Sequence, residues 1–269
     1  MKIYNLVVID NNAGETLVSP FDYFDFPVET VKLNLGSNDF DYESLEGKFI
    51  VYGGGGAIHI PSEDYNDGIF KGVEIISDLS PWLVAWGVGH NIHGSTKIKY
   101  PESFLTKFRL IGVRDIGQVG VLKDGQHHNL PWVPCVSCMD ELFHHKYEIK
   151  HSIVATGHFL DSYNLGVPSI EHVGTPAEEV IPFIASGETV LTNSYHGAYW
   201  GLLLNRKVIV FNPMSSKFYG LPPQIVLATP GTWEDAKPTN NDQFLPLCRS
   251  VNEAYHKQVL NLLEEYLET

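Results

Sequence analysis

The sequence has little cysteine: three thiols, Cys135, Cys138 and Cys248, in 269 residues. So low and odd a count excludes a disulfide framework and fits a reducing compartment. Positive charge is scarce too, with 18 lysines and arginines against 32 acidic residues and a net charge of −14. Without a basic stripe, broad contact with nucleic acid or an anionic membrane is excluded. No run approaches the roughly 18 consecutive apolar residues of a membrane span. At the amino end the apolar run Leu6–Ile9 meets Asp10, Asn11 and Asn12 at once. No small-residue cleavage site follows, so no secretory signal is expected and a cytoplasmic location is. Internal repeats and low-complexity tracts are absent. So are the P-loop and the Gly-x-Gly-x-x-Gly dinucleotide fingerprint.

What is present is an ordinary globular composition, 43% hydrophobic, long enough for one large domain or two small ones. Short apolar runs recur: Lys2–Ile9, Lys48–Tyr52, Trp82–Trp86, Phe108–Val113, Ser152–Thr156, Thr189–Thr192 and Lys207–Phe211. Most are continuous rather than alternating, as in strands buried on both faces of a parallel sheet. Between them lie helix candidates at Thr16–Phe24, Ile116–Leu122, Pro176–Ser186 and Tyr195–Leu204, and a last one at Val251–Leu267. The alternation predicts an α/β fold with mostly parallel sheets. The polar stretch Lys123–His128 marks a break, giving expected domains 1–125 and 126–269.

Ligands of open α/β sheets bind beyond the carboxyl ends of the strands, and the chemistry-bearing residues fall there. Gly53–Gly56 follows a strand; such a run either turns backbone N–H groups toward an anion or simply makes a tight turn. His90 and Asn91 follow the turn Trp86-Gly87-Val88-Gly89 and either contact a ligand or cap local backbone. Arg114 ends another strand; its planar fork suits a carboxylate or phosphate, unless it pairs with Asp115 or another acid. In Thr192-Asn193-Ser194-Tyr195-His196-Gly197, Ser194 is placed at a helix N-cap and His196 in the first turn, where it could act as acid or base. Cys135-Val136-Ser137-Cys138, with His144 and His145 nearby, could form a zinc site. With no second cysteine pair it reads instead as two half-buried thiols on a loop.

The order of these pieces resembles the polysaccharide pyruvyl transferase family over most of the chain. The matching segments are Asn12-Ala13-Gly14-Glu15 with Leu17 and Pro20, Val51–Gly56, Trp86–Gly89, Val113-Arg114-Asp115 and Pro134–Met139. Leu191–Gly197, Asn205–Ile209 and Lys217–Leu221 complete the series.

The resemblance implies a GT-B-like arrangement, two Rossmann-like domains facing a cleft. It implies transfer of pyruvate from phosphoenolpyruvate to two hydroxyls of a surface-polysaccharide precursor as a ketal, with phosphate released. The acceptor would be a sugar or a lipid-linked oligosaccharide, met in transient proximity to a membrane. No metal and no cofactor are expected. His196 then becomes the expected acid, Arg114 and Lys217 the anion clamps, and Gly54, Gly55, Gly56 and Ser194 backbone donors, with His90 and Asn91 also at the substrate. Some family members carry an arginine where this chain has Ser194. The alternatives are a GT-B-type glycosyltransferase using a nucleotide-sugar donor, and a non-catalytic carbohydrate-binding protein.

Overall fold

The computed structural model describes residues 1–35, 41–56, 75–98, 100, 106–117, 119–121, 127–163, 165–229 and 231–269. The first half builds a sheet from β1 (Lys2–Val7), β2 (Glu29–Asn34), β3 (Ile50–Gly53), β4 (Leu83–Val88) and β5 (Leu110–Val113). All its pairings are parallel, in the order β2-β1-β3-β4-β5. A two-stranded antiparallel ribbon, β6 (Val119–Val121) with β7 (His127–Asn129), follows. The second sheet comprises β8 (His151–Gly157), β9 (Ser169–Glu171), β10 (Gly187–Thr192), β11 (Lys207–Phe211) and β12 (Val226–Ala228). Its order, β9-β8-β10-β11-β12 read from one edge, repeats the first, and its pairings are parallel too. The result is an α/β fold consistent with two Rossmann-like units, as the alternation of apolar runs predicts. The domain boundary expected at 125/126 lies outside the described residues.

The described residues include the helices α1 (Ala13–Thr16), α2 (Ala177–Ala185), α3 (Tyr195–Leu203) and α4 (Phe244–Leu267). Two helix expectations are corrected. Thr16–Phe24 is not one helix: α1 stops at Thr16, and Ser19 is extended before Pro20, which opens a short 3-10 turn, Pro20–Asp22. A proline both disfavours helical backbone in the preceding residue and removes an N–H. Within Ile116–Leu122, residues Val119–Val121 are strand β6, where β-branched valines on either side of Gly120 suit an extended ribbon. The strands β2, β9 and β12 had no expectation. They are edge strands of three to six residues, and β2 and β9 carry no continuous apolar run.

Helix α4 begins seven residues before the expected Val251 and returns to the first sheet. Tyr255, Val259, Leu262, Leu263 and Tyr266 share a buried cluster with Ile3, Phe49, Val51, Val84 and Trp86. The pairing of β4 with β5 shifts register between Ala85 and Val88. Tyr255 Oη donates to Ala85 O in this irregular stretch, at 2.6 Å, and Trp86 Nε1 donates to Asn252 Oδ1 at 2.8 Å. Gly112 leaves room for this docking, since a Cβ there would lie 3.0 Å from the Tyr255 ring. The other major cluster spans both halves: Val7, Ala13 and Val18 pack with Val180, Tyr195, Ala198 and Trp200. The strand ends that carry β1 and α1 are therefore held against α2 and α3 by apolar burial.

Leu263→Ala, which empties a site 1% exposed in the α4 contact, is expected to cost about 2–5 kcal/mol in urea unfolding. Glu265→Ala, which removes only the exposed pair with Arg109, is expected to cost under about 1 kcal/mol. Similar losses for the two variants would refute this account of how α4 is held.

Candidate active site

In the order β2-β1-β3-β4-β5, chain connections leave β1 and β3 in opposite directions, and a crevice opens beyond their carboxyl ends. A cavity of about 230 Å3 occupies that place, lined among others by Asp10, Asn12, Glu15, Gly54, Gly55, Gly56, Asn91 and Lys217. Asn12 sets its near wall: its Oδ1 accepts from Gly14 N at 3.0 Å and caps α1, which carries Glu15.

The glycine run is a close-approach loop. Gly54 and Gly55 have φ of 80° and 73°, in the left-handed region that favours glycine. A Cβ at Gly54 would lie 2.3 Å from Val18, and one at Gly55 would lie 2.6 Å from Glu15 Oε2. At Gly56 it would meet Asn91 at 3.0 Å and Arg114 Nη2 at 3.3 Å. Gly54 N already donates to Trp86 O, whereas the N–H groups of Gly55 and Gly56 have no backbone acceptor among the described residues.

Arg114 lies directly behind this loop and is 3% exposed. Its guanidinium stacks on Tyr195 of α3, with Cζ 3.6 Å from the ring centroid. Nε and Nη1 are buried without a hydrogen-bond partner, and no ion pair neutralises the charge among the described residues. Pairing with Asp115, the bland reading of this arginine, does not occur. Asp115 Oδ2 instead accepts from His90 N at 2.9 Å and from the Tyr100 hydroxyl. Gly89 makes the room, since a Cβ there would fall 2.0 Å from Arg114 Nε. A buried cation with unsatisfied donors is costly, and its natural complement is an anion.

Lys217, in the 3-10 turn Ser216–Phe218 after β11, brings a second cation from the other half. Burial, then the Arg114 charge, bring its pKa down to about 8, with Glu15 opposing. The Glu15 carboxyl shifts the other way: burial raises its pKa, Arg114 and Lys217 oppose, and Asp10 reinforces. Neither Glu15 oxygen makes a hydrogen bond or ion pair to a described residue.

A family model for polysaccharide pyruvyl transferase matches residues 4–216. The chain belongs to the polysaccharide pyruvyl transferase family. No curated protein and no solved structure matches it. The match takes in the glycine loop, Arg114 and α3, and ends one residue before Lys217.

Within this transferase the other expected site residues take several places. Asn91 lines the cavity and its Oδ1 accepts from Ser215 Oγ, which ties the two halves together. His90 is fully buried, with Nδ1 2.7 Å from Ser216 Oγ, so it performs the same tie and does not reach the cavity. Ser194 N donates to Thr192 Oγ1 and its hydroxyl lies 3.2 Å from His172 Nδ1, so both groups are engaged inside the protein. His196 is 4% exposed and is not among the cavity-lining residues. Its Nε2 lies 3.6 Å from Cys135 Sγ, and a Cβ on Gly14 would fall 2.2 Å from its Nδ1. Burial, then the charges of Arg114, His172, Lys217 and His158, push its pKa well below the usual histidine value. Cys135 and Cys138 are fully buried rather than half-buried, while His144 and His145 are exposed. Among the described residues no group of three such side chains could hold a metal, and no helix is long and apolar enough to cross a membrane.

Three residues of the site had no assigned role in the sequence reading. Glu15 stands in a quoted segment, but its carboxyl meets the glycine loop only through the fold. His158 directly follows β8, a strand-end position that was open to sequence reading. His172 follows β9, a strand too short to recognise, and bridges Thr156 Oγ1 (2.7 Å) and Ser194 Oγ.

Burial, with His158 and Lys217 nearby, lowers the His172 pKa to about 3. The unfolded chain therefore takes up this proton near pH 6.5 while the fold resists it until about pH 3, so stability falls with acid across that window. In urea unfolding, the stability advantage of the wild type over His172→Gln is expected to shrink between about pH 6.5 and about pH 4.5. A constant difference would show that His172 is not held neutral.

Proposed function

We propose that the protein transfers pyruvate from phosphoenolpyruvate to two hydroxyls of a sugar in a surface-polysaccharide precursor, forming a cyclic ketal and releasing phosphate. The observation that carries this reading is the Arg114 guanidinium, buried and unpartnered behind the Gly55–Gly56 loop. Phosphoenolpyruvate offers a carboxylate and a phosphate; Lys217 lines the cavity, and Arg114 stands behind its glycine wall, with Nη2 3.3 Å from where a Cβ on Gly56 would be. Arg114 takes one anionic group in its fork, Lys217 the other, and the Gly55 and Gly56 N–H groups remain as donors to the same oxygens. The cavity volume, about 230 Å3, is below the roughly 300–1,000 Å3 of sites for drug-sized ligands. That supports a three-carbon donor over a nucleotide sugar, and it leaves the acceptor sugar outside, at the mouth. His196 keeps a place as a neutral ring whose Nδ1 has no partner among the described residues.

The chemistry needs charge stabilisation more than anything else. As the methylene carbon is protonated, C2 becomes electron-poor and the departing phosphate gathers negative charge. Fixed cations in a dry site stabilise that charge without reorganising. The acceptor is a sugar or a lipid-linked oligosaccharide, with no cofactor involved.

Calorimetric titration with phosphoenolpyruvate is expected to show binding that Arg114→Ala weakens about 10- to 100-fold, the scale of charged hydrogen bonds lost. Equal binding by the variant, or heat only with a nucleotide sugar, would overturn the assignment. Because Lys217 binds anions only when protonated, the dissociation constant is expected to rise about tenfold from pH 7 to pH 9, and to lose that rise in Lys217→Met.

A further inference from the structure

Resting on the reading above, we propose that Glu15 is the group that delivers a proton to the methylene carbon of the bound enolpyruvyl donor. Three observations place it there. Its side chain lines the cavity together with Lys217 and the glycine loop. Its Oε2 lies 2.6 Å from where a Cβ on Gly55 would be, so the carboxyl is in direct contact with the loop, whose φ of 73° at Gly55 favours glycine. The carboxyl has no hydrogen bond or ion pair to a described residue, although Arg114 and Lys217 both act on it. A carboxylate meant to neutralise either cation would sit within ion-pair distance of it. Glu15 is instead held apart by α1, through the Asn12 cap on Gly14 N and the bond from Glu15 N to Asn12 O at 2.9 Å.

The groups that act on Glu15 are Asp10 after β1, Arg114 after β5 and Lys217 after β11. Burial and Asp10 favour its protonated form, and the two cations oppose. An anionic donor seated on Arg114 and Lys217 cancels the opposing pair. Donor binding therefore loads the proton onto Glu15 at the moment it is needed. His196, the other titratable candidate, does not line the cavity, and its surroundings disfavour the proton.

The step balances as follows. Glu15 Oε–H breaks, a C–H bond forms at the methylene carbon, and C2 becomes an oxocarbenium bearing the phosphate oxygen. The first sugar hydroxyl bonds to C2 and returns its proton to the Glu15 carboxylate. The second hydroxyl then bonds to C2 as the C2–O bond to phosphate breaks. Phosphate leaves with the electron pair and the second hydroxyl's proton. Glu15 ends in the state in which it began.

The test is calorimetry of phosphoenolpyruvate binding at pH 6.5–7.5 in buffers of differing ionisation enthalpy, on the full chain and on Glu15→Gln. The wild type is expected to take up protons on binding. Glu15→Gln is expected to bind at least as tightly, having lost a negative charge, and to take up fewer protons. Equal proton counts in the two would overturn the role of Glu15 while leaving the donor assignment intact. No binding of phosphoenolpyruvate by the wild type would overturn the underlying reading itself, and this inference with it. With a methyl hexopyranoside that supports phosphate release by the wild type, Glu15→Gln is expected to release phosphate at least about a hundredfold more slowly. Release within about threefold of wild type would overturn the proposal on the ordinary scale of acid catalysis. Should Glu15→Gln not fold, Glu15→Asp answers the same question: it keeps the carboxyl, and so the proton uptake, but withdraws it from Gly55 and slows release.

Discussion

The site is organised around one unbalanced charge. Arg114 is sealed behind the first sheet's glycine loop with two donor nitrogens unanswered, and the surrounding residues are arranged to keep it so. Gly89 and Gly56 give the guanidinium room, and Tyr195 supports its face from the other half of the molecule. Asp115, the acid next in the chain, is turned to the His90 backbone and the Tyr100 hydroxyl. Its second oxygen, Oδ1, stays unsatisfied, pressed toward Gly220. Apolar burial of α3 and α1 around it offsets such a cost and holds the geometry.

The two sheets share one strand order but use their crevices differently. In the first, glycines at the end of β3 keep the space beyond β1 and β3 open. In the second, the equivalent position beyond β8 and β10 is filled. Asn193 exchanges hydrogen bonds with the His158 backbone, and its Oδ1 stands where a Cβ on Gly157 would be. Thr192, Ser194 and His172 then engage one another behind it. The second half contributes to the site through what it presents across the interface, Tyr195 and Lys217. The ties His90–Ser216 and Asn91–Ser215 fix that presentation.

The net charge of −14 sits uneasily with the proposed anionic donor until the charges are located. Two of the 18 basic residues are gathered about the glycine loop, Lys217 on the cavity and Arg114 behind the loop, where burial removes the solvent that would screen them. Burial also keeps the neighbouring histidines His158, His172 and His196 toward neutrality. They add hydrogen-bonding capacity without adding charge that the fold would have to stabilise.

Much of this was legible in the residues. The continuous apolar runs gave the central strands, because a strand buried on both faces needs apolar side chains at every position. Arg114 and the glycine run were legible because α/β sheets place ligands at strand ends and these residues stand there, whereas Lys217 came only from the family resemblance. The short strands β2, β9 and β12 were not, since an edge strand draws its stability from one neighbour and needs no distinctive pattern. Nor was the return of α4 to the first sheet, a contact between segments some 170 residues apart in the chain. By itself the sequence determined the α/β class, the strand-end placement of the glycines and Arg114, and the family. Only the tertiary structure decided that Arg114 lacks a counter-ion among the described residues, that Ser194 and His90 are engaged internally, and that Glu15 faces the cavity. Each of those depends on which groups distant segments bring within hydrogen-bond reach, and local pattern carries no information about that distance.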